Sequence, residues 1–569
     1  MHPLLQINNL QISFTQDGDT GLAVQNSSFT IPKGKLVAIV GESGSGKSVT
    51  ALSVLQLLPK QANIKGDILF SADGTKQENL ALLSEKKINT IRGNKIAMIF
   101  QEPMTSLNPV YTCGYQVMEA LIQHKKLSKK AARQKTIELF EQVSLPNPTA
   151  MFKRFPHQVS GGQKQRVMIA MAMSCNPCLL IADEPTTALD VRVQKSILQL
   201  LKDLQAQNQL SVLLITHDLA LVADVADEII VMFKGEIVEQ GNVKDILKSP
   251  QHIYTKALLA CKPGPGSKGK KLQVINDIMQ VNEDLNLPTD TALAGPVVTT
   301  EAILSVQNLT VDFPLSKNIF GKTTAVFKAV DEVSFEVNKN ETVGLVGESG
   351  CGKTTLGRAI LHLIKPSAGK ILLEGKDIAA LNEQQLRIIR KNLQIVFQDP
   401  YGSLNPRIRI GDAIMEPLTV HSLYSNKKQR KEKVVSLLDR VSLDADHFNR
   451  YPHQFSGGQR QRICIARALA LDPSFLIFDE SVSALDVSVQ AQVLNLINEL
   501  KSQLNFTAIF ISHDLSVVHY ISDRILVMNK GKIVEQGTAD DIYFNPTNEY
   551  TQQLIAAIPG KNFILSNLR

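Results

Sequence analysis

The octapeptide GESGSGKS at residues 41–48 returns as GESGCGKT at 347–354, and VSGGQKQR at 159–166 returns as FSGGQRQR at 455–462. The first pair lies 306 residues apart and the second 296, so the halves differ by ten residues between these landmarks. Later landmarks keep the second spacing: Asp183 with Asp479, His217 with His513, and YTKALL at Tyr254 with YTQQLI at Tyr550. A period this long marks two copies of a whole domain, because solenoid repeats run to only about 20–50 residues. The chain must therefore fold the same architecture twice.

Each half alternates short apolar strands with helical segments, which predicts an α/β fold with a largely parallel sheet. KLVAIV and ETVGLV run directly into the two glycine-rich loops. Between Gln101 and Ser160, and again between Gln398 and Ser456, the strand signal gives way to Lys-rich helical stretches such as KKAARQKTIELFEQV, which predicts a helical subdomain. The expected division is a first domain at 4–260, a flexible linker at 261–301, a second domain at 302–558 and a short tail at 559–569. The linker, rich in Gly, Pro, Lys and Thr, has an expected end-to-end distance of roughly 35 Å as a coil, enough for the domains to lie side by side.

Composition excludes several function classes. A net charge of +7 over 569 residues, with 20% charged residues, is a solvated surface rather than a nucleic-acid footprint, and no basic stripe interleaves with aromatics. No run of about 18 apolar residues could cross a bilayer, and the N-terminus lacks a signal-peptide pattern. The chain is expected to remain on the cytoplasmic side. Six cysteines form no disulfide framework, and Cys175 with Cys178 lacks a second ligand pair at zinc spacing, so that pair reads as structural.

The pattern GxxxxGK[ST] predicts a phosphate cradle: glycines let backbone N–H groups turn inward, a lysine reaches the β and γ phosphates, and a hydroxyl faces Mg²⁺. Its members are Gly41, Glu42, Ser43, Gly44, Ser45, Gly46, Lys47 and Ser48, and Gly347, Glu348, Ser349, Gly350, Cys351, Gly352, Lys353 and Thr354. A helix opening at each loop adds the positive end of its dipole. Two apolar strands then end in carboxylate pairs, Asp183 with Glu184 and Asp479 with Glu480. The aspartate suits Mg²⁺, and the glutamate can orient or deprotonate an attacking water. Two more strands end at His217 and His513, candidate γ-phosphate sensors. Beside Lys353, the Cys351 thiol is expected to favour the thiolate.

The order of these motifs resembles that of the ATP-binding cassette ATPases, in both halves and over nearly the whole chain. The resemblance implies that Gln101 and Gln398 are Q-loop residues reaching the metal and the attacking water, and that TALD (187–190) and SALD (483–486) are D-loops. It also implies that Ser160, Gly161, Gly162 and Gln163, and Ser456, Gly457, Gly458 and Gln459, contact the γ phosphate of the ATP held by the other domain. Val159 and Phe455 replace the usual leading Leu of that signature. The implied ligands are ATP and Mg²⁺, the metal being held by Ser48, Gln101 and Asp183 and by Thr354, Gln398 and Asp479.

EPMTSLNP, DPYGSLNP, FPHQVSGGQ, YPHQFSGGQ and the terminal YT repeats are similar to the ATPases of the oligopeptide, dipeptide and nickel importers, here in fused form. That resemblance implies an ATP-hydrolysing energy-coupling subunit, peripheral on the cytoplasmic membrane face. Its implied partners are two membrane-embedded permeases and an extracytoplasmic solute-binding protein, with no nucleic acid. Many members carry a cysteine cluster after the first ATPase domain; only Cys261 lies in that region, so no iron–sulfur centre is expected. The alternative weighed is a soluble twin-cassette ATPase acting on ribosomes or DNA. Phe14 and Phe320 are the candidates for stacking on adenine.

Overall fold

The computed structural model describes residues 2–16, 19–101, 106–187, 189–280, 298–317, 323–558 and 560. Within it the chain forms two compact units. Part of the EPMTSLNP stretch, one D-loop residue (188), Phe320 and most of the expected tail lie outside the described residues. No helix among the described residues is long and apolar enough to cross a membrane.

Among its described residues unit 1 has ten strands: β1 (Leu5–Gln16), β2 (Asp19–Ile31), β3 (Leu36–Val40), β4 (Ala62–Phe70), β5 (Glu78–Asn79), β6 (Ile96–Ile99), β7 (Leu179–Asp183), β8 (Ser211–Thr216), β9 (Glu228–Phe233) and β10 (Glu236–Asn242). Six of them make the sheet β10-β9-β3-β8-β7-β6, parallel except for the β10–β9 hairpin. Every residue of β3, β7 and β8 is buried, which explains their unbroken apolar runs: helices cover such a sheet on its faces. In register, Val40 pairs with Thr216 and Asp183 with Ile215. The chain ends of β3, β7 and β8 therefore emerge together on one edge, and each carries a predicted site motif.

A four-stranded antiparallel sheet, β2-β1-β4-β5, accompanies the parallel one and was not legible in the sequence. Its pattern is broken by a bulge. Leu5 and Ile7 point into the core, Asn9 adopts φ 47°, and inward alternation resumes at Leu10 and Ile12. The extra residue shifts the two-residue period, so the strand does not read as a clean alternation. These four side chains meet Ile39, Ile181 and Ile215 of the parallel sheet around Ala51 and Val54 of the helix Lys47–Val54. That helix is thus clamped between two sheets.

Unit 2 repeats the architecture with β11 (Ala302–Lys317), β12 (Thr323–Asn338), β13 (Thr342–Val346), β14 (Ala368–Leu373), β15 (Lys376–Asp377), β16 (Leu393–Val396), β17 (Phe475–Asp479), β18 (Thr507–Ser512), β19 (Arg524–Asn529) and β20 (Lys532–Thr538). Its sheets run β12-β11-β14-β15 and β16-β17-β18-β13-β19-β20, and its core places Leu356 and Ile360 between them. The helical subdomains occupy the expected stretches, with helices Cys113–Lys125 and Lys129–Gln142 in unit 1 and Ile410–Val420 and Lys427–Arg440 in unit 2.

The expected linker at 261–301 differs from the structure in its first part, because Ala260–Val274 belongs to unit 2. The buried Asn495 side chain accepts from Leu272 N (2.9 Å) and its amide donates to Leu272 O (2.8 Å). Tyr520 donates to Lys270 O at 3.0 Å, and Lys271 pairs with Glu499 at 3.0 Å. Leu272 and Val274 are buried beside these bonds. Residues 281–297 lie outside the described residues. Asn495→Ala should leave both backbone groups of Leu272 unpaired in a dry site. The expected result is a loss of about 1–3 kcal/mol in unit 2 by calorimetry, with faster trypsin cleavage at Lys268–Lys271.

Candidate functional site

The first phosphate loop leaves β3 and enters the helix Lys47–Val54. Gly46 closes it at φ 97°, where an added Cβ would sit 2.6 Å from Ala23 O; Gly352 does the same at φ 112°, 2.2 Å from Ala329 O. Only glycine fits both the conformation and the close approach. Lys47 Nζ donates to Gly41 O (2.8 Å) and Glu42 O (2.7 Å), and Lys353 Nζ to Gly347 O (2.8 Å) and Glu348 O (2.9 Å). Both ammonium groups are buried within the curve of their loop.

Neighbouring strands supply the acids. Ser48 donates to Asp183 at 3.0 Å, and Thr354 to Asp479 at 2.9 Å. Burial pushes the Asp183 carboxyl up from its usual 3.8 to about 6, against the Ser48 hydrogen bond and with help from the Glu184 charge. Asp479 is raised for the same reasons.

Glu184 and Glu480 behave in the opposite way. Burial opposes their ionisation, yet the His217 imidazole, Thr187 and Lys47 bring Glu184 down to about 2. His513 and Lys353 likewise lower Glu480. Around Glu184 lie His217 Nδ1 (3.4 Å), the Gln101 amide (3.2 Å) and the Thr187 hydroxyl (2.9 Å). Around Glu480 lie His513 Nδ1 (3.6 Å), the Gln398 amide (2.8 Å) and Lys353 Nζ (3.8 Å). Both glutamates hold left-handed backbone, φ 45° and 47°, which costs an ordinary residue roughly 1–2 kcal/mol. Strain repeated at the same position in both units marks a turn built to aim this side chain.

The Ser-Gly-Gly-Gln stretches begin the helices Gly161–Met173 and Gly457–Leu469. Ser160 accepts from Gln163 N (3.3 Å) while Gln163 Oε1 accepts from Ser160 N (3.1 Å), and Ser456 with Gln459 matches these distances. The glutamine side chains are thus engaged in capping boxes. The second glycine has no room for a side chain: a Cβ on Gly162 would lie 2.7 Å from Val193, and one on Gly458 2.2 Å from Val489. The first glycine is open, since a Cβ on Gly457 meets only Leu485 at 3.8 Å.

The thiolate expectation for Cys351 is overturned. The side chain is 7% exposed beneath its loop, and burial raises its pKa despite Lys353. A charged sulfur there would forfeit its hydration, and one buried lysine does not restore it. Cys175 and Cys178 are free thiols, also raised by burial. Phe14 lies on β1, partly packed on the core. Sequence reasoning missed Tyr254 and Tyr550, whose hydroxyls accept from Glu42 N (3.0 Å) and Glu348 N (3.1 Å). Their only signal was the repeated YT pair.

In each unit a phosphate loop, an aspartate beside the loop hydroxyl, and a glutamate ringed by histidine and glutamine converge at the carboxyl edge of one parallel sheet. That constellation defines a P-loop nucleotide hydrolase, built twice. A family model described as "ABC transporter" matches residues 24–187 and 330–483, and one described as "Oligopeptide/dipeptide transporter, C-terminal region" matches 238–286 and 534–564. Curated relatives include the glutathione import ATP-binding protein GsiA of Pectobacterium atrosepticum, 45% identical over 562 residues, covering 98% of this chain and 89% of that one. Its namesakes in Salmonella choleraesuis and Escherichia coli O157:H7 are 46% identical over 563 residues, with the same coverage. The chain belongs to the ABC transporter family and carries two of its ATPase cassettes.

Two outcomes follow from this electrostatic arrangement. Native protein should leave Cys351 unlabelled by maleimide while urea-unfolded protein labels it, as read by peptide mass. Asp183→Asn should raise the melting temperature of nucleotide-free protein by a few degrees at pH 7.5. Because folding raises this carboxyl's pKa, its cost to stability is absent below the unfolded value, grows as pH rises, and is complete above about 6. The advantage of the variant should therefore shrink as pH falls and vanish below about 3.8, measured by calorimetry.

Proposed function

We propose that this chain is the energy-coupling ATPase of an importer for peptides or related small solutes, bound peripherally to the cytoplasmic membrane face. It would drive two membrane-embedded permease subunits that receive cargo from an extracytoplasmic solute-binding protein. The carrying observation is that both cassettes hold a complete Asp–Glu–Gln–His set, followed by the C-terminal region matched in peptide transporters.

On nucleotide binding, Lys47 and Lys353 exchange loop carbonyls for phosphate oxygens, and the loop amides take up the remaining charge. The hydroxyl–carboxylate pairs Ser48–Asp183 and Thr354–Asp479 are hard oxygen donors of the kind Mg²⁺ takes, and the raised aspartate pKa values mark buried negative charge that a cation would compensate. Together with Gln101 and Gln398 these residues would hold the metal. When bound, Mg²⁺ neutralises charge on the phosphate oxygens. Glu184 and Glu480 accept a hydrogen bond from the attacking water and turn its lone pair toward the γ phosphorus. As the water oxygen bonds to the γ phosphorus, the P–O bond to ADP breaks with its electron pair passing to the ADP oxygen, and the water proton passes to the released phosphate. With its pKa near 2, Glu184 serves as a fixed anion that orients water rather than a base matched to neutral pH. His217 and His513 hold these carboxylates in place and sense the γ phosphate.

Glu184→Gln and Glu480→Gln should each cut turnover at their site at least tenfold while ATP affinity stays near wild type. An unchanged rate in either variant would break the equivalence of the two sites. Membrane fractionation with copurifying permeases tests the importer reading; sedimentation with ribosomes would replace it.

A further inference from the structure

In both units one peptide plane of the phosphate loop is held from two sides. The Gly41 carbonyl accepts from Lys47 Nζ at 2.8 Å, and the N–H of the same peptide, on Glu42, donates to the Tyr254 hydroxyl at 3.0 Å. In unit 2 the Gly347 carbonyl takes Lys353 at 2.8 Å while Glu348 N–H donates to Tyr550 at 3.1 Å. A peptide unit is rigid, so fixing its two ends fixes its plane. The tyrosines stand on the helices Ile253–Ala260 and Glu549–Ala556. Both lie outside the segments matched as "ABC transporter" and inside those matched as the oligopeptide/dipeptide C-terminal region.

The surroundings of the two rings have diverged. Tyr254 is fully buried, with its ring 4.3 Å from that of Phe233. Tyr550 is half-buried, and Asn529 stands where unit 1 has Phe233. What the two copies share is the hydroxyl on the loop amide. A ring needed only for packing would not require that oxygen, and a phenylalanine would fill the same volume.

We propose that Tyr254 and Tyr550 are positioning residues for the ATPase sites, locking the first peptide of each phosphate loop so that the cradle is formed before nucleotide arrives. The C-terminal region thereby sets nucleotide affinity from outside the cassette motifs. When the lysine leaves the Gly41 or Gly347 carbonyl for a phosphate oxygen, the tyrosine still restrains that plane. Without it the loop must be ordered at the expense of binding energy, which weakens affinity and leaves the chemical step unchanged.

The proposal rests on the phosphate loops being the nucleotide sites, and the test separates the two. Full-length wild type, Tyr254→Phe, Tyr550→Phe and the double variant are titrated with trinitrophenyl-ATP, and steady-state ATPase is measured over a range of ATP. Each Phe variant should raise the dissociation constant of its site, and the KM, about fivefold, the value of one hydrogen bond, with kcat held within about twofold. The melting temperature of nucleotide-free protein should fall by no more than a few degrees, because the rings remain and only the bond to the loop amide is lost. Wild-type affinity and KM in both Phe variants overturn the proposal. So does a lowered melting temperature with unchanged KM, which makes the hydroxyl structural. Wild type that fails to bind the analogue sinks the site reading itself, and the proposal with it.

Discussion

The hydrogen bond from the loop hydroxyl to the strand-end aspartate, Ser48 to Asp183 and Thr354 to Asp479, ties the phosphate cradle to the sheet at its active edge. It depends on β3 lying next to β8 and one strand from β7, a spacing only a parallel sheet with this strand order provides. The helix that carries the hydroxyl is in turn fixed by two sheets packing on Ala51 and Val54. Burial of the aspartate then produces a raised pKa and a local excess of negative charge. Stability is given up at the sheet edge where the glycine-rich loop and the strand-end acids meet.

The adjacent glutamate shows the complementary design. It sits one residue beyond a buried strand, in strained backbone, and its charge is held by a histidine from the next strand end. Two neighbouring carboxylates are thereby driven apart in pKa, one upward by burial and one downward by its partners. The two carboxylates therefore differ in how readily they hold charge in the folded chain. The two cassettes differ in detail: Thr187 donates to the Glu184 carboxylate, whereas the Ser483 hydroxyl donates to the Glu480 backbone carbonyl. A histidine and a glutamine flank the acid in both cassettes.

Much of this was legible because the motifs are local. GxxxxGK[ST], the paired acids and the histidines each sit at the end of an unbroken apolar strand, and duplication made every landmark checkable against its copy. The antiparallel sheet was hidden by the bulge at Asn9, which shifts the two-residue period in mid-strand. The docking of Ala260–Val274 was hidden because it turns on one buried asparagine in a long helix, where unit 1 has the exposed Gln199. Cys351 misled because proximity to a lysine is visible along the chain and loss of hydration is not.

The sequence by itself determined the double cassette, the residues of the loop motifs and strand-end acids, and the stretches in which helices gather. These follow from the order of neighbours along the chain and from hydrophobic period, both one-dimensional properties. Tertiary structure alone decided which carboxylate is protonated more easily, which peptide plane the distant tyrosines hold, and which unit takes the segment after Leu259. Desolvation and hydrogen bonding depend on what surrounds an atom in three dimensions. Residues 212 positions apart, such as Glu42 and Tyr254, become neighbours only when the sheet brings them together.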